Sequence, residues 1–268
     1  MMESVGVPRG QAAGNQAAGR ASRRPAVART AARIDEHLVG LVSPSSFEAE
    51  PYRILLSRLE SVRANRPSLA IAVTSAAPNE GKTTTSINLS AMLARLLGSS
   101  VLLLDADLRR PSVAKRIGLA DEADLGLGRA LGNPELAVCD ALMPCPPLPL
   151  SVLATGPGDG LPLETMHSPA FGALVQTARQ AYRYVIVDTP PVVALPDARA
   201  LSTLVDGFLL VVRAGVTPRS LLAEALEALE PDKVIGLVFN GDEHPFAGYY
   251  GRYRSYYDAQ RKRAGRSS

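Results

Sequence analysis

The chain has 268 residues, of which 46% are hydrophobic, with 22 glycines and 21 prolines. This length suits one α/β domain with tails, because single hydrophobic cores rarely grow much beyond roughly 250 residues. The net charge is only +3, so the overall balance argues neither for nor against a nucleic-acid partner. The basic residues are concentrated at the two ends, which points to functional or solvated arms there.

Targeting and redox signals are sparse. Cys139 and Cys145 lie in a proline-rich stretch without a nearby histidine, which indicates neither a disulfide framework nor a zinc site and fits a reducing cytoplasm. No apolar run approaches the roughly 18 residues needed to cross a bilayer. The N-terminus also lacks the apolar segment of a signal peptide.

The N-terminal residues 1–43 are predicted to be a disordered basic arm, because the first part is rich in alanine, arginine and glycine and has too little apolar content to offset its ordering entropy. The alternative is an arm that contacts acidic lipids or a partner. The folded domain is placed at residues 44–245. A basic, tyrosine-rich and mobile tail is predicted at 246–268.

Within the domain, the spacing of apolar residues predicts a helix over roughly residues 47–64. Apolar runs then predict five buried strands, at Leu69–Thr74, Val101–Leu104, Tyr184–Val187, Gly207–Val212 and Val234–Phe239. Helical segments are predicted between them, at Lys82–Leu97 and at about 123–132, 169–181 and 219–230. Apolar strands separated by helices indicate an α/β fold, in which a mostly parallel central sheet is covered by helices on both faces. Ligands of such sheets bind at the carboxyl ends of the strands.

The first of these strand ends leads into a phosphate-binding motif, Ser75-Ala-Ala-Pro-Asn-Glu-Gly-Lys-Thr-Thr84. It joins a strand to a helix, and backbone N–H groups at such a junction form a concave positive site for phosphates. Lys82 would contact the β- and γ-phosphates, and the Thr83 hydroxyl would bind Mg²⁺. Ala76 stands where the strict pattern has its first glycine. The alternative is an ordinary helix that begins with Gly-Lys-Thr and binds no phosphate.

Two further strands end in carboxylates. Asp105 and Asp107 follow Val101–Leu104, and Asp188 follows Tyr184–Val187. Residues i and i+2 of an extended chain face the same way, so Asp105 and Asp107 are predicted to point into one site. Each acid alone is compatible with a solvated turn. Together with Lys82 they indicate a magnesium-dependent phosphoryl-transfer site.

The tail carries five of the chain's eight tyrosines, Tyr249, Tyr250, Tyr253, Tyr256 and Tyr257, interleaved with arginines. Three interpretations remain open from composition. The segment is a functionless tail, or it is a basic-aromatic arm that stacks on single-stranded nucleic acid. The third interpretation is a set of phosphate acceptors, in which phosphorylation would reverse the local positive charge of the tail.

At this point the sequence resembles the bacterial tyrosine autokinases of capsule and exopolysaccharide synthesis, members of the P-loop NTPase superfamily. The resemblance spans about residues 44–258. It depends on A-P-N-E-G-K-T-T (77–84), L-L-L-D-A-D-L-R-R-P (102–111), V-I-V-D-T-P-P (185–191), Leu161–Ser168, which is similar to N-P-x-E-L-L-x-S, Leu195–Ala198, and the strand ending in Asn240.

The resemblance implies ATP and Mg²⁺ as ligands and a role for each matching residue. The catalytic residues would be Lys82, Asp105, Asp107 and Asp188, and Thr83, Asp105 and Asp188 would hold the metal. Nucleotide contacts would come from Pro78, Asn79, Glu80, Gly81, Lys82, Thr83, Thr84 and Arg109, with Asn240 at the adenine. The phosphate acceptors would be the five tail tyrosines of a neighbouring subunit.

The resemblance also implies an assembly and partners. Family members form rings, for which Glu50 and Arg53 match an E-x-x-R-x-x-R pattern that has Leu56 in its last position. Phosphorylation would disfavour the ring. The expected partners are a membrane adaptor or polysaccharide co-polymerase on a separate chain and a cognate tyrosine phosphatase, with no nucleic acid. The expected location is the cytoplasm, at the inner face of the plasma membrane through the adaptor.

The rival hypothesis is a ParA/MinD-like ATPase, a positioning switch that shares the fold and the acidic strand ends. Those proteins carry an extra lysine five residues before the phosphate-loop lysine. Here that position is Ala77, which disfavours the switch. A third possibility is a nucleotide-gated scaffold with an inert tail.

Overall fold

The computed structural model describes residues 34–64, 66–119, 126–132, 141–156, 161–194 and 201–241. The predictions for the basic arm at 1–33, the segment Leu195–Ala198 and the tyrosine tail therefore lie outside the described residues.

A seven-stranded sheet with the order β3-β4-β2-β5-β1-β6-β7 forms the centre of the domain. Its strands are β1 (Leu69–Ser75), β2 (Val101–Asp105), β3 (Met143–Pro144), β4 (Leu150–Leu153), β5 (Tyr184–Asp188), β6 (Gly207–Arg213) and β7 (Val234–Asn240). All neighbouring strands run parallel except the short edge strand β3, which pairs antiparallel with β4. This confirms the predicted, mostly parallel sheet.

Helices cover the sheet on both sides. They are α1 (Val39–Val42), α2 (Glu50–Arg63), α3 (Lys82–Leu97), α4 (Val113–Ile117), α5 (Leu127–Gly132), α6 (Pro169–Ala181) and α7 (Arg219–Glu227). Short 3-10 turns lie at Phe47–Ala49, Leu163–His167, Val192–Ala194 and Pro231–Lys233.

Strand β1 shows why the apolar runs are continuous. Alternate residues of a strand point to opposite faces, so Leu69, Ile71 and Val73 pack in the core beneath α2 and α3, while Ala70 and Ala72 pack in the core beneath α6. Both faces are buried, as expected for a parallel sheet.

Residues 34–43 differ from the prediction. Leu38 is fully buried, and α1 packs against α3. Residues 34–43, which the prediction assigned to the arm, therefore belong to the folded domain. The short apolar stretch from Leu38 to Val42 was not recognised, because it follows a segment of polar and basic composition. Leu38 of this stretch is part of the core.

Several elements were missed or shifted. The apolar patterns did not predict α1, α4 or the strands β3 and β4, because each is short and lies among prolines or charged residues. The predicted helix at 47–64 begins with a 3-10 turn, and that at 219–230 ends at Glu227. Of the predicted helix at 123–132, the described part is Leu127–Gly132. None of the described helices combines the length and apolarity needed to cross a bilayer.

Candidate nucleotide-binding and catalytic site

The phosphate loop links β1 to α3, and its backbone turns at two residues with positive φ. Asn79 has φ 64° and Gly81 has φ 95°. Asparagine tolerates this left-handed conformation better than most residues, so Asn79 can occupy this turn without being glycine. A Cβ on Gly81 would lie 1.9 Å from the Asn240 amide nitrogen, so a larger residue would have to displace the Asn240 side chain as well as adopt the positive φ.

Glu80 shapes this loop from within. Its carboxylate accepts hydrogen bonds from the backbone N–H groups of Ala76 (2.9 Å) and Ala77 (3.0 Å), and the residue is only 4% exposed. The Glu80 side chain thus points into the interior, and only its backbone could contact a phosphate. The carboxylate fixes the turn at the position where Ala76 replaces glycine.

Two residues near the ends of β6 and β7 brace the same loop. The Thr217 hydroxyl donates to the Glu80 carboxylate and accepts a hydrogen bond from the Arg213 N–H at 2.9 Å. The Asn240 amide donates to the Glu80 carbonyl at 2.9 Å. Sequence reasoning identified Asn240 through the family resemblance but missed Thr217, since a threonine in a loop carries no recognisable signal.

Asp105 and Asp188 lie side by side because β2 and β5 are adjacent and these residues are register partners. Asp188 accepts hydrogen bonds from the Thr83 hydroxyl (2.7 Å) and the Ser86 hydroxyl (3.0 Å). Ser86 was not predicted. It lies one turn after Lys82 on α3, which brings it to the same carboxylate.

Asp105 and Asp107 have different hydrogen-bond partners at the end of β2. Asp105 accepts hydrogen bonds from the N–H groups of Ser112 and Val113, both at 3.0 Å, and so holds the start of α4. Asp107 pairs with the Lys82 ammonium at 2.6 Å. The strand ends at Asp105, so the two-residue periodicity of an extended chain no longer applies to Asp107.

The buried carboxyl groups have perturbed acidities. Burial raises the pKa of Asp105 to about 7, and the neighbouring Asp188 charge adds to this, against the hydrogen bonds from Val113 and Ser112. Burial also raises the pKa of Asp188 to about 6, although the Lys82 charge and the Thr83 and Ser86 hydroxyls oppose the shift. A cation between these carboxyl groups would relieve their desolvation and mutual repulsion.

The donor set fits Mg²⁺. Thr83, Asp105 and Asp188 offer hard oxygen atoms, the ligands that Mg²⁺ prefers. No three acidic, cysteine or histidine side chains among the described residues form a complete metal cage.

A cavity of about 1130 Å³ opens over the phosphate loop. Most of the predicted binding residues line it, namely Pro78, Asn79, Gly81, Lys82, Thr83, Thr84, Asp107, Arg109 and Asn240. Asp105, Asp188 and the Glu80 side chain lie behind this wall. Further lining residues that the sequence did not predict are Arg110, Ser112, Pro190, Pro191 and Arg213.

The residues assigned to oligomerisation pair with each other. Arg53 lies 2.5 Å from Glu50 and also donates to the Pro44 carbonyl at 2.6 Å. Leu56 is 4% exposed and packs in the core beneath α2. The position that is arginine in the family pattern therefore faces the interior here.

Comparisons with known proteins agree with this geometry. Residues 71–247 match the family described as the CobQ/CobB/MinD/ParA nucleotide-binding domain. Tyrosine-protein kinase YwqD of Bacillus subtilis (strain 168) is 35% identical over 82% of this chain and 93% of its own length. The succinoglycan biosynthesis transport protein ExoP of Rhizobium meliloti (strain 1021) is 32% identical over 78% of this chain, but this covers only 27% of ExoP. The crystal structure of the chimerical protein CapA2B2 superposes with a TM-score of 0.68 at 28% identity, covering 77% of this chain and 90% of that one.

Fold and site together define a P-loop nucleotide-binding domain of the CobQ/CobB/MinD/ParA type. Within that class, the chain belongs to the bacterial tyrosine kinases of capsule and exopolysaccharide systems. It is a protein-tyrosine kinase, and the rival interpretation as a positioning switch retains only the shared fold.

Proposed function

We propose that this kinase transfers the γ-phosphate of ATP, in the presence of Mg²⁺, to Tyr249, Tyr250, Tyr253, Tyr256 or Tyr257 of a neighbouring copy. The observation that carries the proposal is a pair of contacts at the start of α3. Lys82 forms an ion pair with Asp107 at the cavity wall, and the next residue, Thr83, donates a hydrogen bond to Asp188. The Lys82 ammonium and the Thr83 hydroxyl come from the first turn of α3, and they contact the carboxylates of Asp107, after β2, and of Asp188, at the end of β5.

The chemistry is one displacement at phosphorus. The phenolic oxygen forms a bond to the γ-phosphorus, and the bond from that phosphorus to the β–γ bridging oxygen breaks, so ADP leaves. Asp107 accepts the phenolic proton, because it lines the cavity whereas Asp105 is buried behind it. Lys82 and the loop N–H groups hold the phosphates in line. Mg²⁺ supplies neutralisation of the charge on the phosphate oxygens.

The adenine would lie near Arg213 and Asn240, at the ends of β6 and β7. Both residues line the cavity, and the Asn240 amide is already oriented by the Glu80 carbonyl. Arg109 lines the same cavity, and its charge suits the phosphates.

The wider role proposed is control of polysaccharide synthesis and export through a membrane adaptor or co-polymerase, with a cognate phosphatase to reverse the modification. Two names support this proposal: ExoP is a succinoglycan biosynthesis transport protein, and CapA2B2 is a chimera. The kinase would work at the cytoplasmic face of the membrane. The proposal includes ring formation through Glu50 and Arg53. These residues form an ion pair within one chain, and that ion pair would have to break when they contact a neighbouring subunit.

A mixing experiment tests the transfer between copies. The Lys82→Met variant, which keeps its tail tyrosines, is mixed with a second variant and Mg-ATP. The second variant has an intact site, but its five tail tyrosines are replaced by phenylalanine. Mass spectrometry should find phosphotyrosine on the Lys82→Met chain only in the mixture. ATP hydrolysis without any labelled tyrosine, in the wild type with or without adaptor, would favour a nucleotide switch instead.

A further inference from the structure

Arg116 is a cation of the cavity wall that the predicted nucleotide contacts do not include. It belongs to α4 and lines the cavity together with Lys82 and Thr84. One of its terminal nitrogens donates a hydrogen bond to the Thr84 hydroxyl, and Thr84 is the third residue of α3. The guanidinium therefore reaches the first turn of α3, where the N–H groups of the helix start attract phosphates.

The backbone of α4 holds Arg116 in this position. Asp105 accepts the N–H groups of Ser112 and Val113 at the start of the helix, both at 3.0 Å. Val113 and Ile117 are buried and pack in the core beneath α3. The reach of the guanidinium is therefore set by the Arg116 side chain alone, because the helix that carries it is fixed to the site.

The guanidinium of Arg116 has donors left for a ligand. Arginine carries several N–H donors in a planar fork that matches the oxygen atoms of a phosphate. Among the described residues its partners are the Thr84 hydroxyl and the Asp35 carboxylate, which lies 3.8 Å away. That separation is longer than a hydrogen bond. The Arg116 side chain is also 35% exposed, so a phosphate in the cavity can reach it.

The fold keeps the Asp35 carboxylate near this guanidinium. Asp35 accepts the His37 N–H at 3.0 Å, which fixes its side chain in the segment before α2. Asn88 of α3 then holds this segment. Its amide oxygen accepts the Gly40 N–H at 3.0 Å, and its amide nitrogen donates to the His37 carbonyl at 2.9 Å and to the Tyr52 hydroxyl at 3.0 Å.

We propose that Arg116 binds a phosphate of the nucleotide, and that Asp35 competes with this phosphate for the guanidinium. The proposal deepens the proposed function and rests on it, since it takes ATP as the ligand. A phosphate offers charge-assisted hydrogen bonds, which are stronger than a partly exposed ion pair at 3.8 Å. The guanidinium turns from Asp35 to the phosphate when the nucleotide binds, so Asp35 lowers the affinity for the nucleotide.

Calorimetric titration of the full chain tests the phosphate contact, with Mg-ATP and magnesium triphosphate as the two ligands. Arg116→Gln should raise both Kd values roughly tenfold, the lower end of the range for a hydrogen bond to a charged group. Triphosphate has neither adenine nor ribose, so an equal effect on both ligands identifies a contact to phosphate.

The matched control is Lys115→Gln, which removes the same charge from the adjacent position. Lys115 is exposed and does not belong to the cavity lining. It should keep both Kd values within about twofold, because solvent and salt screen an exposed charge.

Asp35→Asn tests the competition with an effect of opposite sign. Asparagine keeps an oxygen atom for the His37 N–H but removes the charge. We expect the Kd for Mg-ATP to fall by up to about fivefold, which partial unfolding of the variant could not imitate. In the Arg116→Gln background the same change should have no effect.

Unchanged Kd values in Arg116→Gln, a loss for ATP but not for triphosphate, or an equal loss in Lys115→Gln contradicts the phosphate contact. Unchanged ATP affinity in Asp35→Asn, or a gain that persists without Arg116, contradicts the competition. A wild-type chain that binds both ligands but labels no tyrosine leaves the assignment of Arg116 intact and contradicts the proposed transfer.

Discussion

The Lys82 ammonium lies 2.6 Å from the Asp107 carboxylate, and both side chains are largely shielded from water. The phosphate-binding cation is thus paired with the residue proposed as the base. Nucleotide binding would draw Lys82 toward the phosphates and release Asp107 to accept a proton. The pair therefore links occupancy of the phosphate site to readiness of the base.

Removal of one partner should cost stability as well as activity. Lys82→Met leaves a buried carboxylate without its cation, and we expect a loss of up to about 3 kcal/mol in the free energy of unfolding, with no tyrosine labelling. Lys82→Met/Asp107→Asn should regain most of that stability but no labelling. Urea denaturation and phosphotyrosine detection measure the two effects, and Lys82→Arg serves as the charge-conserving control. A double variant no more stable than Lys82→Met would contradict the pairing.

The raised pKa values of Asp105 (about 7) and Asp188 (about 6) predict an unusual pH dependence. In the unfolded chain both carboxyl groups titrate near 3.8. Between roughly pH 4 and pH 7 the folded state therefore binds more protons than the unfolded state, so the free energy of unfolding falls as the pH rises through this window.

Mg²⁺ should reverse that trend, because a cation favours the ionised carboxylates. We expect Mg²⁺ to raise Tm more at about pH 8 than at about pH 5.5, measured by differential scanning fluorimetry without nucleotide. Asp188→Asn should flatten the metal-free pH profile. The same Mg²⁺ effect at both pH values would contradict this assignment.

Gly81 is predicted to be sensitive to substitution for two separable reasons. Gly81→Ala adds a Cβ that would clash with the Asn240 amide and also forces a non-glycine residue to φ 95°. The left-handed conformation alone costs about 1–2 kcal/mol. Gly98→Ala is the matched control, because Gly98 has φ 56° with no atom within 4 Å of the added Cβ.

We expect Gly81→Ala to lower Tm more than Gly98→Ala, and Gly81→Ala/Asn240→Ala to recover the difference. Nucleotide binding should stay weak in the double variant, since both changes alter the cavity wall. Equal losses of Tm for Gly81→Ala and Gly98→Ala would show that the clash has no energetic weight.

Thr217 is predicted to act as a positioning residue for the phosphate loop through Glu80. Thr217→Val removes the hydroxyl that joins the Glu80 carboxylate to the Arg213 N–H, and an unsatisfied buried group costs about 1–3 kcal/mol. We expect weaker binding of a fluorescent ATP analogue in Thr217→Val, while Thr217→Ser restores wild-type affinity. If both variants bind like the wild type, the bridge does not support the loop.

The sequence was most informative where one local rule decides the structure. Gly81 and Lys82 mark the start of α3, and buried apolar strands end at Asp105 and Asp188, so the position of the site followed directly. The partners of those residues did not follow. Ser86, Thr217 and Asn88 act across long separations in the chain, and Asp105 turns toward α4 because two backbone N–H groups there need an acceptor. The burial of Leu38 could not be predicted for a similar reason, because the residues it packs against are distant in the sequence and include those of α3.

Helix α3 carries the phosphate loop at its first residue and Asn88 less than two turns later. The phosphate loop and the cavity wall that Asn88 holds through His37, Gly40 and Tyr52 are therefore attached to one helix. Asp107 and Asp188 contact that helix from the sheet side, through Lys82 and Thr83. A movement of α3 relative to the sheet would carry the loop and this wall together, and it would change the distances from Lys82 to Asp107 and from Thr83 to Asp188.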